Sequence, residues 1–254
     1  MSLRERSFLL AALLLAALAA CTKPKTEGPA RSEPTARSRQ LLLVTVADWN
    51  APQGTLRRYA RAGADSWQPV GSPIPVVVGR AGLAWGRGLH GEQAGPLKRE
   101  GDGRAPAGVF KLSATFGYEP DPPGNLPHHH ATEQLLCIDD PASIRYNKLL
   151  DRAQIQHPDW SSAEQMRRAD DQYRLGVVVE HNTNPVEPGR GSCIFLHVWA
   201  GADQPTSGCT AMQPEAMRAV ARWLDWMAEP ILVQLPSSEY QRLRASWKLP
   251  AIAP

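Results

Sequence analysis

Of the four cysteines in the chain, Cys21, Cys137, Cys193 and Cys209, the last stands where a thiol has most to work with. It lies in PTSGCTAM, after a Pro-Thr-Ser-Gly turn and just before a helix that opens at Pro214. Backbone N–H groups and a helix dipole at such a place favour the thiolate. Twelve residues upstream, His197 sits near the end of the apolar run CIFLHVW. A strand ending in His, a loop and a Gly-Cys turn can bring an imidazole beside a thiol, and a base is what a thiol of ordinary pKa needs to become a nucleophile. The N–H groups of Gly208 and Cys209, with Ser207 in the same turn, are candidates for an oxyanion hole, since glycine lets a carbonyl approach closely. The competing reading makes Cys209 a small buried hydrophobe and His197 a core histidine.

Other polar residues carry weaker signals. Glu180-His181-Asn182 ends a Val-rich strand, so His181 is a candidate cleft residue or a turn former. Trp199, two residues after the histidine, and Thr206 are candidate substrate contacts. Arg99, Asp102 and Arg104 are candidate contacts for a charged peptide, or a solvated loop. The triplet His128-His129-His130 has neither the i, i+4 nor the Cys-x-x-Cys spacing of a metal site, and no metal or cofactor is expected. With Cys21 set aside, three cysteines remain. Cys137 and Cys193 both fall in strand-like runs, so a disulfide between them is expected, leaving Cys209 free.

The elements that must position these groups are short. Runs rich in Val, Ile and Leu at 41–48, 73–80, 108–112, 134–139, 175–180, 192–199 and 230–235 are flanked by Gly, Pro, Asn or Asp and read as strands. Two segments read as helices: 161–174, opened by the capping-box spacing Ser161 to Glu164, and a helix from Pro214 with Met217, Val220, Ala221, Leu224 and Met227 on one face, ending before Pro230. The Gly-rich stretch 81–107 is long for a connection and is a candidate rim of a site. The expected architecture is one mainly β (α+β) domain over 41–236 with peripheral helices, and a weakly patterned tail over 237–254.

The first twenty residues read as an address. Arg4 and Arg6 precede the apolar run Phe8 to Ala20, too short to span a bilayer and ending in Leu18-Ala19-Ala20-Cys21, which resembles a bacterial lipobox. Cys21 is then a lipidation site, residues 1–20 a signal peptide, and the Pro-, Ser- and charge-rich stretch 21–40 a disordered tether. The expected setting is the bacterial cell envelope, outside the cytoplasm and anchored to a membrane by lipid. Charge agrees. The chain carries 28 Lys and Arg against 25 Asp and Glu, and its +3 excess lies within residues 1–40, so the folded part lacks the basic footprint of a nucleic-acid binder.

The segment IFLHVWAGADQPTSGCTAM (194–212) resembles the active-site signature of the L,D-transpeptidase (YkuD-type) family, in which a His is followed after a loop by Ser/Thr-His-Gly-Cys. The upstream KREGDGRAPAGVFKL (98–112), with Ala105-Pro106-Ala107-Gly108, is similar to that family's Thr-Pro-x-Gly turn and strand. The resemblance implies a β-sandwich or barrel domain, Cys209 as nucleophile, His197 as base, Gly208 beside the nucleophile and Thr206 at the family's Ser/Thr. It departs from the pattern where Ser207 replaces the second His and Thr210-Ala211-Met212 lacks the usual Arg or Asn. What it implies chemically is acyl transfer on peptidoglycan stem peptides through a thioester. Water as acceptor would make the same site an L,D-carboxypeptidase or cross-link hydrolase. Loss of activity through the departures would leave a lipid-anchored peptidoglycan-binding module.

Overall fold

A computed structural model describes residues 33–63 and 66–252. The signal segment, Cys21 and the first part of the tether lie outside the described residues. The strands are β1 (Gln40–Val46), β2 (Gln53–Ala60), β3 (Gln68–Val77), β4 (Leu83–Trp85), β5 (Ala105–Gly117), β6 (His128–His130), β7 (Leu135–Cys137), β8 (Leu149–Asp151), β9 (Glu164–Gln165), β10 (Leu175–Val179), β11 (Phe195–Val198), β12 (Thr210–Met212) and β13 (Ile231–Pro236). Helices α1 (Pro214–Trp223) and α2 (Ser237–Leu243) complete the set.

The main sheet runs β10-β11-β12-β3-β2-β1-β13-β5, and β5 pairs again with β10, so the eight strands close into a barrel. A separate sheet, β8-β7-β9, lies in the cap formed by residues 131–173. The expected mainly β domain of sandwich or barrel type is the fold observed. Closure removes the exposed edges that an open sheet of this size would present. Sequence explains the centre: β1 reads QLLLVTV, pairs in parallel with β13 and antiparallel with β2, and Leu41 to Val44 are wholly buried. A strand buried on both faces reads as a continuous apolar run.

Where the structure differs from the sequence reading, the reasons are physical. Strand β2 was not expected, because its inward residues Leu56 and Tyr59 are three apart, and a register shift between Leu56 and Arg58 turns that spacing inward. No helix forms over 161–174. Ser161 N–H and Oγ–H both bond Asp140 Oδ2 at 2.7 Å, and Ser162 Oγ–H bonds Asp139 Oδ1 at 2.6 Å, so the hydroxyls that would cap a helix are spent on a distant turn. Helix α1 does open at Pro214 but stops at Trp223, where Leu224 turns extended, leaving Met227 exposed. The tether's last residues are docked rather than free: Thr35 and Ser38 are buried, and Arg61 Nε donates to Ser38 O at 2.8 Å. Polar bonds of this kind leave no apolar signal. The tail is structural as well, with Tyr240, Leu243, Trp247 and Leu249 buried in the main core. Among the described residues no helix is long and apolar enough to cross a membrane.

Candidate active site

The barrel wall places His197 and Cys209 side by side in topology. His197 lies on β11, opposite Gly176 of β10 and Ala211 of β12. Cys209 immediately precedes β12, and its sulfur accepts the Phe195 N–H at 3.3 Å and faces Cys193 O at 3.6 Å. The turn before it is closed by Thr206, whose Oγ accepts the Gly208 N–H at 3.1 Å and donates to Cys209 O at 2.7 Å. The Gly208 N–H is thereby used within the turn, which removes it from the expected oxyanion hole. Glycine at 208 answers to packing, since a Cβ there would meet Arg104 O at 3.2 Å.

The histidine is oriented by its own strand. Nδ1 lies 2.8 Å from Val198 O. A carbonyl only accepts, so Nδ1 carries the proton and neutral His197 leaves Nε2 as its acceptor. Burial drives the His197 imidazole down to about 4. Burial, and then the charge of Glu164, push the Cys209 thiol up to about 12. Neither member of the pair is charged at neutral pH.

Both side chains open onto one cavity of about 450 Å³, whose lining also includes Lys98, Glu100, Asp139, Glu164, Arg168 and Tyr173. The Tyr173 ring meets His197 edge-on with centroids 5.1 Å apart, and its hydroxyl donates to Glu164 Oε1 at 2.5 Å. Burial pushes both the Tyr173 hydroxyl and the Glu164 carboxyl up. Cys137 and Cys193 are disulfide-bonded with Cα atoms 5.9 Å apart, as expected, although Cys193 precedes β11 instead of lying on a strand beside β7, and Cys209 is free. The bond ties β7 of the cap to Cys193 in the cavity wall.

Of the residues expected at the site, His197, Thr206, Ser207, Gly208 and Cys209 line the cavity. Ser207 Oγ accepts from Arg80 Nη1 at 3.1 Å. Trp199 is half-buried at the strand end, with its backbone N–H on Met212 O, and lies outside the lining. His181 is also outside it and is a buried structural residue: Nδ1 accepts the Arg87 N–H at 3.2 Å and Nε2 donates to Arg190 O at 3.0 Å. Asp102 and Arg104 are loop architecture, Asp102 accepting from Lys98 Nζ and Arg104 donating to Trp49 O and Leu83 O. The stretch 81–107 does reach the rim through Lys98, Glu100 and Gly101. Glu164, Arg168 and Tyr173 were missed. They sit in the segment read as a helix, and only its fold into the cap turns them toward the cavity.

A family model for the L,D-transpeptidase catalytic domain (YkuD) matches residues 45–233, which run from the end of β1 to the middle of β13 and include both His197 and Cys209. The chain belongs to that family. No curated protein matches the chain.

Proposed function

We propose that this member of the L,D-transpeptidase catalytic-domain family transfers acyl groups on peptidoglycan stem peptides through a thioester on Cys209, with His197 as its base. The observation that carries the reading is the opening of Cys209 and an Nε2-acceptor His197 onto one cavity. The cysteine sulfur attacks the carbonyl carbon that joins a diaminoacyl residue to a terminal D-amino acid. Its proton passes to His197 Nε2 during the attack, so no free thiolate has to accumulate in the buried site. Collapse of the tetrahedral intermediate breaks the C–N bond, and His197 returns the proton to the departing amine. An acceptor amine then attacks the thioester, loses its proton through His197, and leaves a new amide and a thiol. The Cys209 N–H is the backbone donor next to the developing oxyanion, because the Gly208 N–H is already bonded to Thr206.

The test is turnover of tetrapeptide muropeptides followed by mass. Cys209→Ala is expected to abolish both turnover and labelling by a carbapenem. His197→Ala is expected to keep the thiol but slow acylation on the order of 10²–10⁴-fold. Turnover that survives Cys209→Ala overturns the reading, and products that gain water rather than a second peptide assign the acceptor to hydrolysis.

The same proposal places the domain in the bacterial envelope, held by lipid on Cys21. The Leu-Ala-Ala-Cys sequence at the end of a short apolar run supports it. Mass spectrometry of the mature N-terminus is expected to show an acylated Cys21, and an unmodified terminus cut elsewhere removes the anchor.

A further inference from the structure

Following each charged group of the cavity to its partner shows an imbalance. Lys98 Nζ donates to Asp102 Oδ1 and to Arg99 O, each at 2.6 Å. Arg168 is held by Asp170 through two nitrogens, and its approach to Glu164 Oε1 is only 3.7 Å. Asp102 and Asp170 both lie outside the lining. The three carboxylates inside it face hydroxyls: Glu100 takes those of Tyr146 and Ser192, Asp139 that of Ser162, and Glu164 that of Tyr173. The shortest ion pairs of both cations are therefore made from behind the wall, and with three carboxylates against two cations the cavity presents an excess of negative charge. One side chain stands between Glu164 and the reacting sulfur: Tyr173, whose hydroxyl binds Glu164, packs in the same small cluster as Cys209 and lines the same cavity. That hydroxyl has one proton, and while Glu164 is an anion the proton points at the carboxylate rather than at sulfur.

Resting on the transpeptidase reading for its substrate, we propose that Glu164, acting through Tyr173, is the positioning and specificity-determining residue of this site: it holds Cys209 as a thiol until an ammonium group of the substrate settles beside the carboxylate. The ammonium takes over the Glu164 oxygens and cancels their charge. Tyr173 O–H is then free to donate to the sulfur as negative charge develops there, and the sulfur's proton goes to His197 as before. No bond forms or breaks at Glu164 or Tyr173. A stem peptide whose free amine is capped loses the interaction and the activation together. The fields that act with Glu164 on this centre are those of Lys98 and Arg168 on one side and Glu100, Asp139 and Asp170 on the other, all of which stay in place when only Glu164 is changed.

The experiment follows alkylation of Cys209 by iodoacetamide against pH in the full chain, because this readout needs no substrate. In Glu164→Gln the inflection is expected to fall by about one pH unit, raising the rate at neutral pH about tenfold. Glu164→Asp, which keeps the charge, is expected to stay close to the parent, and adding Tyr173→Phe to Glu164→Gln is expected to take back most of the gain. An inflection that is unmoved or higher in Glu164→Gln, or that moves equally in Glu164→Asp, overturns the proposal. In a second arm the ratio of kcat/KM for muropeptides with free and with N-acetylated side-chain amines is expected to be about tenfold or more in the parent and to collapse in Glu164→Gln. A ratio unchanged by the substitution removes the ammonium. Absence of any turnover by the parent counts against the transpeptidase reading, while the alkylation arm still decides the role of Glu164.

Discussion

In the barrel, β1 and β13 run side by side as strands made mostly of Leu, Ile and Val, and the core they share with β2, β5 and both helices is one continuous cluster. In the cap, β7, β8 and β9 have three, three and two residues, and the chain between them is organised by carboxylates. Asp159 gathers Ser143 Oγ, the Ile144 N–H and Arg145 Nη1, while Asp140 gathers Ser161 and the Ala142 N–H. A second, smaller cluster around Met166, Tyr173 and Phe195 joins the cap to the barrel wall. The division has a chemical consequence. The thiol and imidazole are placed and buried by the barrel wall, whereas Glu164, Arg168 and Asp170, which act on them after burial, belong to the region held by polar bonds and one disulfide.

The strongest way to break the barrel half of this comparison is to remove the C-terminal segment. Tyr240, Leu243, Trp247 and Leu249 are all at most 7% exposed. At ~1.5–3 kcal/mol for each large apolar side chain buried, deletion of residues 237–254 removes roughly 6–12 kcal/mol, comparable to the whole stability of a domain. Loss of the cooperative thermal transition is expected. A truncated chain that melts as the parent does would show that the tail is dispensable to the barrel.

The same contrast explains what was legible in the sequence. Mostly apolar strands such as β1 and β13, the Pro214 opening of α1, and the Cys209 and His197 pair carry local signals. The tail's four anchors carry a weaker one, since Tyr240, Leu243 and Trp247 keep the i, i+3, i+7 spacing of a helix over only two turns and among polar neighbours. The Thr35 and Ser38 anchors bury polar atoms, and Glu164, Arg168 and Tyr173 reach the cavity through a fold that local propensity argues against. The family's His197 and Cys209 could be matched residue by residue. The acid facing them could not.

Reducing the Cys137–Cys193 bond tests the cap half. It closes a sequence separation of 56 residues, for which chain entropy gives a contribution of about 4 kcal/mol at most. Because the bond fastens β7 to the cavity wall, the loss is expected to fall on the cap first. Hydrogen exchange at Met166, whose N–H bonds Leu135 O, is expected to quicken while the β1–β13 ladder stays protected, and muropeptide turnover is expected to fall. Equal loss of protection in both regions would mean that barrel and cap form one cooperative unit.

The smallest effect separates the two regions by pH. In the barrel, burial drives His90 and His181 down to about 4 and about 3. Their unfolded values near ~6.5 lie higher, so the stability they contribute is complete above about pH 6.5 and is lost as pH falls toward those folded values. In the cap, Asp170 is held down to about 2, chiefly by its hydrogen bonds from Arg168. Its unfolded value is about 3.9, so its contribution is complete above that pH and is lost as pH falls through about 2. The Arg168 and Asp170 side chains are 35% and 40% exposed, and solvent screening leaves the pair worth less than about 1 kcal/mol. Thermal midpoints measured from pH 7 to pH 2 are therefore expected to fall first between about 6.5 and 4 in both the parent and Asp170→Asn. The small gap between the two proteins should stay constant over that range and close only below about pH 4. A gap that closes at pH 6 instead would place Asp170 under the control of the barrel histidines, and the two regions could no longer be treated as titrating separately.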